Sequence, residues 1–152
     1  MSLPLFQSNQ VICFQTNYCK NRLDFTGYRY YLLKEIDEEN KMLVFFPITS
    51  NRSREAEFYS QYKVRKRPSC LNSKVYPESF INTNLLIKVP LDLAELMEKN
   101  CRKVHQTCLE KEEFAEVIEL HKFVVEFETI LSADVRVITF NKEHFLINKK
   151  SK

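Results

Sequence analysis

The hydrophobic period of this 152-residue chain changes at Pro90. Before it, apolar residues alternate or run in short blocks of strand length; after it, they recur at spacings of three and four. A strand side chain changes face at every residue, whereas a helical one returns to its face after three or four. The switch predicts a mixed α+β fold, with the sheet built largely from the first half and helices following it.

Tyr28, Tyr30, Leu32 and Lys34 alternate with Arg29, Tyr31, Leu33 and Glu35, and Met42 to Ile48 is a nearly continuous apolar run. The polar Asp37-Glu38-Glu39-Asn40 between them predicts an antiparallel hairpin. Leu85 to Val89, closed by Pro90, reads as a further strand, and Val11 to Thr16 as an earlier one. A short strand is expected near Phe58 to Val64, inside a polar stretch over 51–84. Beyond Pro90, Leu93, Leu96, Met97, Cys101, Val104 and Cys108 share one helical face, and a second helix is expected from Lys111 to Ser132. Val135 to Phe140 and His144 to Ile147 alternate like two short strands. The expectation is one domain over 1–152: a sheet region over 11–90 with an insertion at 51–84, a helical hairpin over 91–132, and short strands over 135–147.

The chain contains a single glycine, Gly27, which excludes the glycine-rich cradles of Rossmann and P-loop nucleotide sites. Five cysteines, Cys13, Cys19, Cys70, Cys101 and Cys108, form no CxxC pair, so free thiols in a reducing compartment are expected and no metal or cofactor. The start, Met1 to Phe6, lacks the basic and apolar stretches of a secretory signal, and no run reaches the roughly 20 apolar residues needed to cross a bilayer. A cytoplasmic location without a membrane partner follows. The net charge of +3 permits a polyanionic partner without requiring one.

Three groups of residues could carry chemistry. Thr49 and Ser50 stand where a buried strand ends, and hydroxyls there can donate to a phosphate or a developing oxyanion. The same residues also initiate ordinary turns. Arg29 follows Gly27, and a guanidinium fixed on a strand can grip a phosphate with two parallel hydrogen bonds; a solvent-facing arginine satisfies the pattern equally. Third, Arg52, Arg54, Lys63, Arg65, Lys66 and Arg67 interleave with Phe58, Tyr59 and Tyr62, as cations and rings do in single-strand nucleic-acid binders and as they do on many solvated loops. His105, His121 and His144 have no triad spacing, and Glu110, Glu112, Glu113, Glu116 and Glu119 read as a solvated helical face.

The order Phe25-Thr26-Gly27-Tyr28-Arg29-Tyr30-Tyr31-Leu32-Leu33, followed by Phe46-Pro47-Ile48-Thr49-Ser50 and Ser79 to Pro90, resembles the MazF/PemK/ToxN group of endoribonuclease toxins. The insertion and the long C-terminal helices are similar to the ToxN branch, whose antitoxin is an RNA. Tyr30 stands where a proline often follows the family's arginine, and Lys88 where many relatives carry another arginine. The resemblance implies a small antiparallel Src-homology-3-like barrel with two long helices packed against it. It implies metal-independent cleavage of single-stranded RNA by 2′-hydroxyl attack, with Arg29, Thr49, Ser50 and the weaker candidate Lys88 at the site, and an antitoxin, RNA or protein, as partner. Homo-oligomer formation is left open. The alternatives are a non-catalytic nucleic-acid-binding barrel and a protein-interaction module using the helical hairpin.

Overall fold

A computed structural model describes residues 6–20, 23–49, 60–71, 78–103, 108–131 and 136–147. Its strands are β1 (Val11–Thr16), β2 (Cys19–Lys20), β3 (Leu23–Asp24), β4 (Gly27–Asp37), β5 (Met42–Thr49), β6 (Gln61–Lys63), β7 (Phe80–Asn82), β8 (Leu85–Pro90), β9 (Cys101–Lys103) and β10 (Arg136–Thr139); its α-helices are α1 (Ala94–Lys99) and α2 (Lys111–Leu131). The β4–β5 hairpin forms as the alternation predicts. Its turn is fastened by Asp37, whose carboxylate accepts from the Asn40 backbone N–H at 3.1 Å and from its side-chain amide at 2.9 Å.

The main sheet runs β10-β8-β5-β4-β1-β9, and β7 joins β5 to β6. β5 pairs with β8 over Met42 to Phe45 and with β7 at Ile48 and Thr49. Pro47, which cannot donate a backbone hydrogen bond, falls in the gap between those partners. All pairs are antiparallel except β10 with β8, which is parallel.

The period of two divides the sheet into two apolar faces. Phe14, Tyr31, Leu33, Phe45 and Ile87 point to one, where they meet Met97 of α1 and then Phe140 and Phe145. Rings from opposite ends of the sheet touch there: Phe14 on β1 and Phe140, just after β10, have centroids 6.3 Å apart. Laid flat, β1 and β10 would lie about 19 Å apart at ~4.8 Å per strand step, so the sheet is strongly curled. Val11, Leu32, Phe46, Ile48 and Ile81 point to the other face, which α2 covers through Val117. Along α2 the buried residues Glu113, Val117, His121 and Val124 follow helical spacing and form its inner stripe.

Three expectations are corrected. The sheet is open and not a closed barrel: β9 and β10 end the strand order without pairing to each other. The first long helix is absent. After a 3₁₀ turn, α1 lasts six residues and stops at Asn100, whose side-chain amide donates back to the Leu96 carbonyl at 2.9 Å. The chain then extends as β9 and pairs with β1, supplying the hydrogen bonds an edge strand lacks. Finally, the last predicted strand is a 3₁₀ turn over Lys142–Phe145, because Asn141 and His144 form a reciprocal cap at its start.

Candidate nucleic-acid site

Arg29 and Thr49 lie near the same end of the central hairpin. The last paired residues of β4 and β5 are Tyr30 and Ile48. Arg29, which pairs with Phe14 of β1, and Thr49, which pairs with Phe80 of β7, each lie one residue beyond that last pair. Gly27 opens β4 with φ +78°, a conformation that disfavours residues with a Cβ, and so turns the chain into the strand ahead of Arg29.

Arg29 is exposed, and its Nε donates to the Thr26 carbonyl at 3.3 Å, which aims the guanidinium back along the strand end. Beside it, Asp24 accepts from the Thr26 hydroxyl at 2.6 Å and from its backbone N–H at 2.9 Å. Those hydrogen bonds, with a lesser contribution from the Arg29 charge, lower the carboxyl pKa. A guanidinium held beside a carboxylate and a hydroxyl can neutralise phosphate oxygens.

Ser50, Arg52, Arg54, Phe58 and Tyr59 lie outside the described residues. Lys88 is not brought to Arg29 and Thr49. It pairs with Val44, five residues along β5 from Thr49, or about 17 Å, and an odd separation puts it on the opposite face.

The basic-aromatic segment is partly engaged within the fold. Lys63 pairs with Glu78 at 2.7 Å and Arg65 with Glu116 at 2.8 Å. The Tyr62 hydroxyl lies 2.7 Å from Glu116 and 3.0 Å from Glu113, sharing one proton between two carboxylates. Burial and these acceptors push its pKa well upward. Glu113, only 2% exposed, also accepts the backbone N–H groups of Arg65 at 2.7 Å and Lys66 at 3.0 Å. The sequence placed Glu113 on a solvated face; it is instead the buried anchor that ties this segment to α2.

Arg67 donates to the Leu71 carbonyl at 3.0 Å and lies next to Lys66. With Lys111 they border a cavity of about 260 Å³ at the start of α2, where Glu110 is the one carboxylate in the lining. The positive end of the helix dipole adds to those cations. This is an anion-favouring surface, and Lys111 is a member that sequence reasoning missed.

A second basic-aromatic contact was also missed. Arg102 of β9 lies over the ring of Tyr28 on β4, its guanidinium carbon 5.5 Å from the ring centroid. Reading residues 93–108 as a helix concealed it. The helix-stopping Asn100 was the available signal.

Among the described residues no three His, Cys, Asp or Glu side chains are grouped to hold a metal, and no helix is long and apolar enough to cross a membrane. Burial raises Cys13 to about 11 and Cys101 to about 12, so both thiols stay protonated at neutral pH. No family model matches the chain, and no curated protein matches it at a significant level; the likeness to endoribonuclease toxins rests on the residues themselves.

Proposed function

We propose that this chain is a metal-independent endoribonuclease of the toxin–antitoxin kind, cutting single-stranded RNA where β4 and β5 end. The observation that supports the reading is the β4–β5 register, whose last pair, Tyr30 with Ile48, leaves Arg29 and Thr49 each one residue beyond the same end of the hairpin. In the reaction the 2′-oxygen bonds to the adjacent phosphorus and the 5′-oxygen leaves. The 2′-proton passes to water, and the leaving oxygen takes a proton from solvent. Arg29 neutralises the charge that accumulates on the phosphorane, and Thr49 with Ser50 donates hydrogen bonds to its non-bridging oxygens. Donors fixed before the reaction cost no reorganisation during it, which is how a site without a metal gains rate. The cations of Lys66, Arg67 and Lys111 would hold the flanking backbone, and a cognate antitoxin, RNA or protein, would silence the site in the cytoplasm.

The cation-lined cavity favours a second reading, in which the chain binds single-stranded nucleic acid without cutting it. Induced expression separates the two. Under the proposal the native protein arrests growth and Thr49→Ala does not. Equal arrest by both forms would favour binding alone, and no arrest by the native protein would count against a toxin.

A further inference from the structure

We infer that Tyr28 and Arg102 form a base-stacking platform that holds an unpaired nucleobase of the RNA beside the scissile phosphate. The inference rests on the endoribonuclease reading and names the part of the substrate that reading leaves unassigned. Tyr28 is 45% exposed, one of the few large side chains with apolar surface that the fold leaves open to solvent. Its position is fixed by sheet register: β1 pairs Gln15 with Tyr28, and β9 pairs Cys101 with Phe14. Phe14 belongs to the inner apolar face, so the residue after Cys101 turns to the outer one, which Tyr28 shares. Arg102 thereby comes over the Tyr28 ring at 5.5 Å and is itself exposed.

Further geometry supports the assignment. Tyr30, half-buried, sits two residues along on the same face, about 7 Å from Tyr28 at ~3.4 Å per residue. Arg102 is exposed and, among the described residues, forms no ion pair with a carboxylate, unlike Lys63 and Arg65. An exposed ring beside a guanidinium provides what a single strand needs: a π-surface for any base and a charge for its phosphate. Tyr28 also immediately precedes Arg29. At a strand end the two faces meet at one rim, so a nucleotide draped over it can set its base on Tyr28 and its phosphate against Arg29. The base so held must be unpaired, which gives the site a reason to prefer single strands.

The test is titration of a short single-stranded oligouridylate against native, Tyr28→Ala, Tyr28→Phe and Arg102→Ala proteins, each shown to be folded by circular dichroism. The chain has no tryptophan, so Tyr28→Trp installs a unique fluorophore at the platform. Tyr28→Ala is expected to weaken binding about five- to hundredfold, the weight of one stacked base. Tyr28→Phe should retain most of the affinity, Arg102→Ala should flatten the salt dependence, and the Tyr28→Trp emission should be quenched by the oligonucleotide. Native-like affinity of Tyr28→Ala with unchanged emission from Tyr28→Trp would overturn the platform and leave the endoribonuclease reading standing. If the native protein fails to bind the oligonucleotide, both fall together.

Discussion

Glu113 is the residue on which the arrangement of the basic segment depends, and its replacement has a calculable cost. Its two carboxylate oxygens accept separate backbone N–H groups, Arg65 on one and Lys66 on the other, and Tyr62 adds a third donor. In Glu113→Gln one oxygen becomes an NH₂ group that must face a backbone N–H, so at least one bond is lost and a donor–donor contact replaces it. Hydrogen bonds to a charged group contribute about 1.5–3 kcal/mol each. Arg65 and Lys66 are exposed, so water recovers part of that amount, and a net loss of about 1–3 kcal/mol is expected for the variant. For a chain of this size that lowers Tm by roughly 2–12 °C. Urea unfolding followed by circular dichroism measures it, with the exposed Glu112→Gln as control. A Glu113→Gln protein within about 0.5 kcal/mol of native would refute the anchor, since ordinary surface changes fall in that range.

Other consequences are equally direct. The Tyr31 hydroxyl is fully buried and has no hydrogen-bond partner among the described residues, so Tyr31→Phe should leave stability unchanged or raise it by about 1 kcal/mol, and a clear loss in urea unfolding would refute this. His121 is buried with Nδ1 2.9 Å from the Thr83 carbonyl, and desolvation lowers its pKa below the unfolded value near 6.5. The unfolded chain therefore binds the proton first, so stability is complete above that value and falls as pH drops below it. His121→Gln should flatten that slope without abolishing it, because His144 is shifted the same way; an unchanged slope would exclude His121 as a source. In RNA titrations, Lys66→Ala and Lys111→Ala should each reduce the salt slope by ~0.7, one phosphate contact on a single strand, while Arg65→Ala, already paired to Glu116, should leave it alone. Identical slopes for all three would return the cavity to ordinary surface.

Local pattern carried the strands whose period was clean. Tyr28 to Ile36 and Met42 to Ile48 alternate or bury as strands must, and Asp37 to Asn40 has turn chemistry, so β4 and β5 could be read directly. Apart from the 3₁₀ turn at Lys142–Phe145, which a local cap sets, the failures share one cause, which is pairing between residues far apart in sequence. Cys101 and Cys108 have helical spacing with Met97, yet β1 draws the chain after Asn100 into the sheet, where the Gln15 N–H reaches the Asn100 carbonyl at 3.0 Å. The same holds for Glu113, whose partners lie some fifty residues earlier and leave no mark on the helix's own periodicity. Within the site, the position of Arg29 and Thr49 at the same end of one hairpin was legible because β4 and β5 are adjacent in sequence. Arg102 was not, because β9 was unforeseen. Lys88 was placed by family likeness alone, and the register with Val44 sets it on the other face.

The most direct test of the central claim is cleavage of a single-stranded RNA by purified protein in the presence of a chelator, with the product ends identified. Attack by the 2′-oxygen leaves a 2′,3′-cyclic phosphate on one fragment and a 5′-hydroxyl on the other. The account predicts those ends from the native protein, and a rate reduced about a hundred- to thousandfold in Arg29→Ala and in Thr49→Ala, the usual effect of removing one preorganised donor. Intact RNA under native protein, or cleavage at an equal rate by both variants, would contradict it.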